Sequence, residues 1–445
     1  MEWWEAFLLI MGSLFFLMFI GMPVAFTFLV VNVVGAYFFF GGLPGMFQLV
    51  IQISDSLSTF TLVPVALFLV MGEIMFHSGI GVNLLDALDK WFGNLKGRLA
   101  LLAVGGGVLF AALTGNSMGS VALLGSSLVP EMEKRGYGKP MSLGPILGSG
   151  GLAIMVPPSG LAVLLGVVAE LSIGQILIAI ILPGIIMAIL YAIYIVGRCA
   201  LDPKVAPAFT VEPVPLSEKL WTTLIHIVPV SFIIFMVVGV IFLGLATPSE
   251  SAASGALGTF LLACFQRRMN WNVFKKAMIG SLEISVMLLM IISGALAFTQ
   301  MLAFTGATVG LINMVLSFGT SPTVLVILML MTVIVLGMVM SPVPIMLVTL
   351  PVFIPIVEEV GFNSIWFAVL FLIAIETGTT SPPFGASLFV MKGVAPKGTT
   401  MPQIYGAAIP FLICDAIALL IVLIFPIIVL GPIGFMFESG AFKPY

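Results

Sequence analysis

The residues able to do chemistry in this chain fall at breaks in apolar sequence. Four stretches combine Gly, Pro and hydroxyl or amide residues: Thr114–Ser120, Ser149–Gly160, Gly337–Pro344 and Glu376–Gly385. Gly and Pro interrupt helical bonding and free backbone carbonyls. Freed carbonyls, with Ser, Thr and Asn oxygens, suit a hard cation such as Na⁺. The helix N-termini on the other side of each break suit an anion. Asn116, Ser117, Ser341, Glu376, Thr379 and Thr380 are the side chains placed to meet such a substrate. Three carboxylates sit in apolar sequence. Glu376 directly precedes Thr377-Gly378-Thr379-Thr380-Ser381-Pro382-Pro383, and the cost of burying it marks it as functional. Glu73 reads as structural, in a continuous helix near a basic end, and Asp415 shows no partner in sequence. His77 and His226 are isolated and read as satisfied polar residues at membrane edges. Cys199, Cys264 and Cys414 are far apart, and with only 2 His they build no metal centre. They read as small buried hydrophobes.

Composition sets the surroundings of these residues. Of 445 residues, 61% are hydrophobic and 8% charged, against about 25% charged in a soluble domain. Mean hydropathy is +1.26. So few charges exclude a cytosolic enzyme, a nucleic-acid binder and a disordered chain. The net charge of −3 carries little information, because membrane orientation follows where Lys and Arg sit. A polytopic membrane protein remains. Its acidic start and the long apolar run after Phe7 predict a retained transmembrane helix rather than a signal peptide.

Apolar stretches predict crossings at about Phe7–Val30, Val33–Ile53, Phe60–Phe76, Gly174–Gly197, Leu224–Leu245, Ala252–Phe265, Ala277–Phe304 and Gln403–Leu430. The second is weakened by Gly41, Gly42 and Pro44. The charged, Pro-rich stretch Arg198–Lys219 reads as a linker between two halves. Around the polar tip Thr114–Ser120, two apolar runs are each too short to span comfortably. Lys90, Lys96 and Arg98 precede them; Lys134, Arg135 and Lys139 follow. With both ends on the positive side, the segment predicts a re-entrant hairpin. Broken backbone is tolerated at membrane depth only where it lines a cavity or is buried in protein.

The second half repeats this pattern. Pro157-Pro158 recurs as Pro382-Pro383, 225 residues on. The same offset pairs Gly81 with Gly306, Pro130 with Pro355, Glu133 with Glu358, Gly136 with Gly361, Gly160 with Gly385 and Tyr137 with Phe362, which predicts an internal duplication. Six Lys/Arg flank the first hairpin; the matching loops of the second half have none and carry Glu358 and Glu359. The hairpins should therefore enter from opposite faces, the first from the cytoplasm and the second from the periplasm. That gives an all-α polytopic membrane protein of two inverted-topology repeats with re-entrant hairpins and broken helices, the build of secondary transporters, with the site at the repeat interface near the midplane. The first repeat is expected over 1–205, with an arm helix at 82–95 on the membrane surface, a hairpin at 98–131 and a broken helix at 141–170. A linker follows at 206–220. The second repeat, 221–445, has its arm at 307–318, hairpin at 322–357 and broken helix at 364–395. No phosphate-binding loop is present, so energy is expected from an ion gradient.

At these residues the chain resembles the large membrane subunit of the tripartite ATP-independent periplasmic (TRAP) transporters, from about Gly21 to Pro432. The match is strongest at Ser127-Leu128-Val129-Pro130-Glu131-Met132-Glu133-Lys134-Arg135-Gly136-Tyr137 and Val156-Pro157-Pro158-Ser159. It continues at Gly72-Glu73-Ile74-Met75, Thr247-Pro248-Ser249-Glu250-Ser251-Ala252-Ala253 and Ser381-Pro382-Pro383-Phe384-Gly385. The resemblance implies a bacterial inner-membrane carrier, not an enzyme, that imports an organic anion with two or more Na⁺ ions by an elevator motion. A small four-helix membrane subunit and a periplasmic substrate-binding protein are its implied partners. The implied Na⁺ ligands, mostly backbone carbonyls, are Thr114, Ser117, Ala153, Val156 and Pro158 for one ion. For the other they are Gly337, Gly378, Ser381 and Phe384. Three positions depart from the family's usual residues: the tip Thr114-Gly115-Asn116-Ser117, Ser341 where an acid is common, and Glu376 where Asn is common. They set the family's usual dicarboxylate or sialic-acid substrate aside as an assignment; with no Lys or Arg at the predicted midplane, a carboxylate or a sulfonate would fit. A self-sufficient Na⁺/organic-anion symporter needing no binding protein is the alternative. An intramembrane hydrolase would need a catalytic set such as GxSxG or HExxH, and a channel would need a continuous polar stripe; neither pattern is present.

Overall fold

The computed structural model describes the backbone at residues 1–92, 95, 97–114, 117–207 and 214–438, and the side chains of these except 82, 92, 110–114 and 436–438. Among the described residues all regular structure is helical. Six helices among these residues are long and apolar enough to cross a membrane, or seven if one bent pair counts as a span. The chain is thus the all-α polytopic membrane protein that composition requires.

Several expected crossings end where the local chemistry ends them. The run Phe7–Val30 is interrupted after Trp3–Phe19, at the turn carrying Gly21 and Pro23, and the chain resumes at Val24–Phe39. Gly41 and Gly42, at φ +83° and +81°, adopt the left-handed region that glycine enters freely. They split the run Val33–Ile53 before Leu43–Leu57. The run Gln403–Leu430 divides at Pro426 into Met401–Ile424 and Ile427–Glu438. The stretch read as a linker begins inside the helix ending at Leu201, and helix resumes at Leu216; residues 208–213 lie outside the described residues. Helical hydrogen bonding continues from Leu216 to Phe242 through two π-turns, Thr223–Ile227 and Phe235–Gly239.

The helices around the breaks recur at a fixed offset. Ser117–Lys134 and Pro342–Glu359 differ by 225 at both ends (117 to 342, 134 to 359), as do Lys139–Met155 and Ser364–Thr380. Arg98–Thr114 has its counterpart in Pro322–Gly337, and Gly160–Val168 in Ala386–Val394. Each pair of hairpin helices packs on the broken helix that follows it, and the two broken helices pack on each other. From Met141 to Met155 and from Ile365 to Thr380 every residue is buried. A helix apolar all round belongs inside, so these two form the centre of the molecule. Around them run Val63–Ser78, Pro248–Phe265 and the 34-residue helix Trp271–Phe304, with Val63–Ser78 packed on both of the others.

A cavity at the two hairpin tips

At both breaks the helix stops in extended backbone at equivalent residues: Val156 (φ −113°, ψ 112°) and Ser381 (φ −83°, ψ 137°). The dipeptides Pro157-Pro158 and Pro382-Pro383 follow, each with a cis peptide bond. Proline lacks the amide proton a helix needs. After the first break the chain turns by 44°. Ser159 then caps Gly160–Val168, accepting from the Ala162 amide at 3.3 Å. At the second break the Ser381 hydroxyl donates to the Thr377 carbonyl at 2.6 Å, and the Gly385 amide donates to Ser381 at 3.1 Å.

A cavity of about 410 Å³ lies where these elements meet the surrounding helices. One wall is Val63–Ser78 and Trp271–Phe304, through Val65, Phe68, Ile284 and Leu288. The opposite wall holds both hairpin tips, at Ser117–Gly119 and Ser341–Val343, and the first break, at Pro158 and Gly160. Three helices begin on this cavity: those starting at Ser117, Gly160 and Pro342. The positive end of each helix dipole makes such an N-terminus attractive to negative charge. Among the described residues no Lys or Arg lines the cavity, and Glu73 is its charged residue. Much of the remaining lining is apolar.

Glu73 was expected to be structural. Its helix is continuous, but the carboxylate lines the cavity and lies 3.3 Å from His77 Nε2, one turn away. Its intramembrane charge was the signal; its proximity to the second half was invisible in sequence. Asp415 has a partner, the Tyr191 hydroxyl, which donates to it in the buried interior.

The other candidate residues divide. Ser117 and Ser341 line the cavity, as does Pro158. Glu376, Thr379 and Thr380 do not; they are buried behind it. Glu376 reaches across to the first hairpin rather than toward Ser381. Its Oε1 accepts from Ser117 Oγ at 3.2 Å and from Thr380 Oγ1 at 3.3 Å. Gly150 and Gly151 make room: a β-carbon on Gly151 would lie 2.8 Å from the Glu376 side chain, and one on Gly150 would lie 3.4 Å from Ser117 Oγ. Ala153 is buried in the last turn of the first broken helix, just before Val156. In the second half Gly337 and Gly378 meet backbone to backbone. A β-carbon on either would lie 2.7–2.8 Å from the other's Cα. Phe384, in the turn after the break, has an exposed side chain. Asn116 and the Thr114 side chain lie outside the described residues.

A family model described as "Tripartite ATP-independent periplasmic transporter, DctM component" matches residues 11–428. The chain is 30% identical, over 86% of its length and 88% of the other protein's, to the C4-dicarboxylate TRAP transporter large permease protein DctM of Pseudomonas aeruginosa. It is 26% identical, over 93% and 96%, to the ectoine TRAP transporter large permease protein TeaC of Halomonas elongata. The fold is similar to that of the YdaH transporter of Alcanivorax borkumensis, with a TM-score of 0.63 at 13% identity over 86% of this chain and 89% of that one.

Proposed function

This chain belongs to the family of the DctM component of tripartite ATP-independent periplasmic transporters, and from that premise we propose that it imports a small organic anion, a carboxylate or a sulfonate, coupled to Na⁺ and delivered by a periplasmic substrate-binding protein. Membership makes it a multi-pass membrane subunit of a transporter. The observation that carries the finer reading is the meeting of three helix N-termini on one cavity without a basic side chain. An anion would be held there by backbone amides and by Ser341, while the apolar wall accepts its carbon skeleton. The relatives' substrates, C4-dicarboxylates and ectoine, are small carboxylates that such a cavity suits. The chain would sit in the bacterial inner membrane.

The repeated helix ends support two repeats over 1–205 and 221–445, and the contrast of basic and acidic loops supports their inversion. In this scheme the hairpins and broken helices move as one body past a static frame, carrying the cavity from periplasm to cytoplasm. Na⁺ would sit at the carbonyl-rich breaks, around Ala153 and Val156 and around Gly337, Gly378 and Ser381. A small membrane subunit would enlarge the frame.

Reconstitution tests the proposal. In proteoliposomes the chain alone should give negligible uptake. With the small subunit and the loaded binding protein, uptake should appear and rise more steeply than linearly with external Na⁺. Robust uptake by the chain alone would favour the self-sufficient symporter, and full activity in K⁺ under a proton gradient would remove Na⁺ coupling.

A further inference from the structure

Among the described residues Glu376 is a buried carboxylate without a basic partner. It is 1% exposed, and its Oε2 has no hydrogen-bond partner among them. Arg98, also buried, is engaged by Asp89 at 2.5–2.7 Å at the far end of the first hairpin. The two hydroxyls that reach Glu376, from Ser117 and Thr380, both donate to Oε1. They orient the carboxylate and leave Oε2 bare in a region closed to water. An uncompensated buried charge of this kind is expensive, and buried charges are otherwise paired or coordinate metals.

We propose that Glu376 supplies the charged ligand of a Na⁺ site at the seam between the first hairpin tip and the second broken helix, with Ser117 and Thr380 oxygens beside it. This rests on the Na⁺-coupled reading above and goes beyond its carbonyl-rich sites, which hold no charged ligand. One carboxylate among neutral oxygens balances one monovalent cation. A proton on Oε2 would neutralise the group instead, and the acid arm of the test below separates the two. The placement ties the ion to the substrate. Ser117 begins the hairpin helix whose N-terminus faces the cavity, while its hydroxyl faces Glu376. An ion held here fixes that tip, so ion and substrate each raise the other's affinity.

The test reads Na⁺ binding rather than transport. Thermal unfolding of the purified full chain is titrated with NaCl at constant ionic strength against choline chloride, for the wild type, Glu376→Gln and Thr380→Val. The wild type should be stabilised saturably by Na⁺. Glu376→Gln should need about ten-fold more Na⁺ for half the effect, and without Na⁺ it should melt above the wild type, because the uncompensated charge is gone. A merely structural carboxylate predicts no change in the Na⁺ dependence. Thr380→Val should raise the half-saturating concentration in the same direction, and it carries the test should the glutamine variant not fold. An unchanged Na⁺ dependence in the variants would overturn this inference and leave Na⁺ coupling standing. A wild type indifferent to Na⁺ but stabilised by acid would overturn both.

Discussion

At the residue scale, backbone proximity and polar pairing in the interior decide what substitutions do. Gly337 and Gly378 touch through their backbones. Gly378→Ala inserts a methyl group where overpacking costs about 1–3 kcal/mol; thermal unfolding should register that loss, together with weaker stabilisation by Na⁺. Gly406, whose β-carbon would meet nothing within 4 Å, is the control expected to change neither. Tyr191 donates to Asp415 in the buried interior. Tyr191→Phe strands that carboxyl without its donor, at about 1–3 kcal/mol. Pairing it with Asp415→Leu should cost less than the two single losses added together, because both polar partners then disappear at once. Strict additivity of the unfolding free energies would show that the pair does not act as a unit.

At the scale of elements, the arm helix Ile80–Phe92 is tied to the surrounding helices rather than to the hairpin alone. Lys90 pairs with Glu218 at 2.8 Å, the Trp91 indole donates to Thr223 at 2.8 Å, and Arg268 donates to Asn83 at 2.9 Å. Arg98 holds the start of the hairpin to Asp89 at the arm's end. A moving hairpin would then pivot about the connection after Trp91, with the arm as part of the frame. Asn83→Cys with Arg268→Cys, bridged by a short thiol cross-linker, should leave transport intact; loss of uptake would show that the arm travels. The proposed inversion of the two repeats makes a separate prediction. In a background lacking the three native cysteines, Arg135→Cys and Glu359→Cys should be labelled from opposite faces of intact cells. Labelling from the same face removes the inversion.

For the whole molecule, burial is uneven in a way that separates interior from flank. Ile365–Thr380 is buried throughout, whereas only 22% of the apolar window in Leu216–Phe242 is buried. That helix turns Leu224 and Phe232 outward, as a lipid-facing or partner-facing element does. In the assembled transporter, a photo-cross-linker at Phe232 should capture the small subunit, and one at the buried Val369 should capture only this chain. Capture at neither site would place the partner elsewhere.

Composition alone established the membrane class, since 8% charged residues cannot cover a soluble surface. The offset of 225 between Pro-Pro pairs was legible too, and it foretold helix ends that agree to the residue in the pairs beginning at Ser117 and Lys139. Gly and Pro write such breaks locally, because they act on the hydrogen bonds of their own turn. Distance between remote elements was not legible. Ser381 lies five residues from Glu376, and sequence therefore joined the two. The fold instead turns Glu376 toward Ser117, 259 residues away, through the space opened by Gly150 and Gly151. Glu73 was likewise ranked by its own helix, although its surroundings come from Gly280 on Trp271–Phe304 and from the hairpin tips across the cavity. Local chemistry specifies where a helix must stop. Which carboxylate then faces which hydroxyl depends on how several helices, each nearly uniform in hydropathy, rotate to close-pack. Small residues such as Gly150 and Gly151 settle that only once their neighbours are in place.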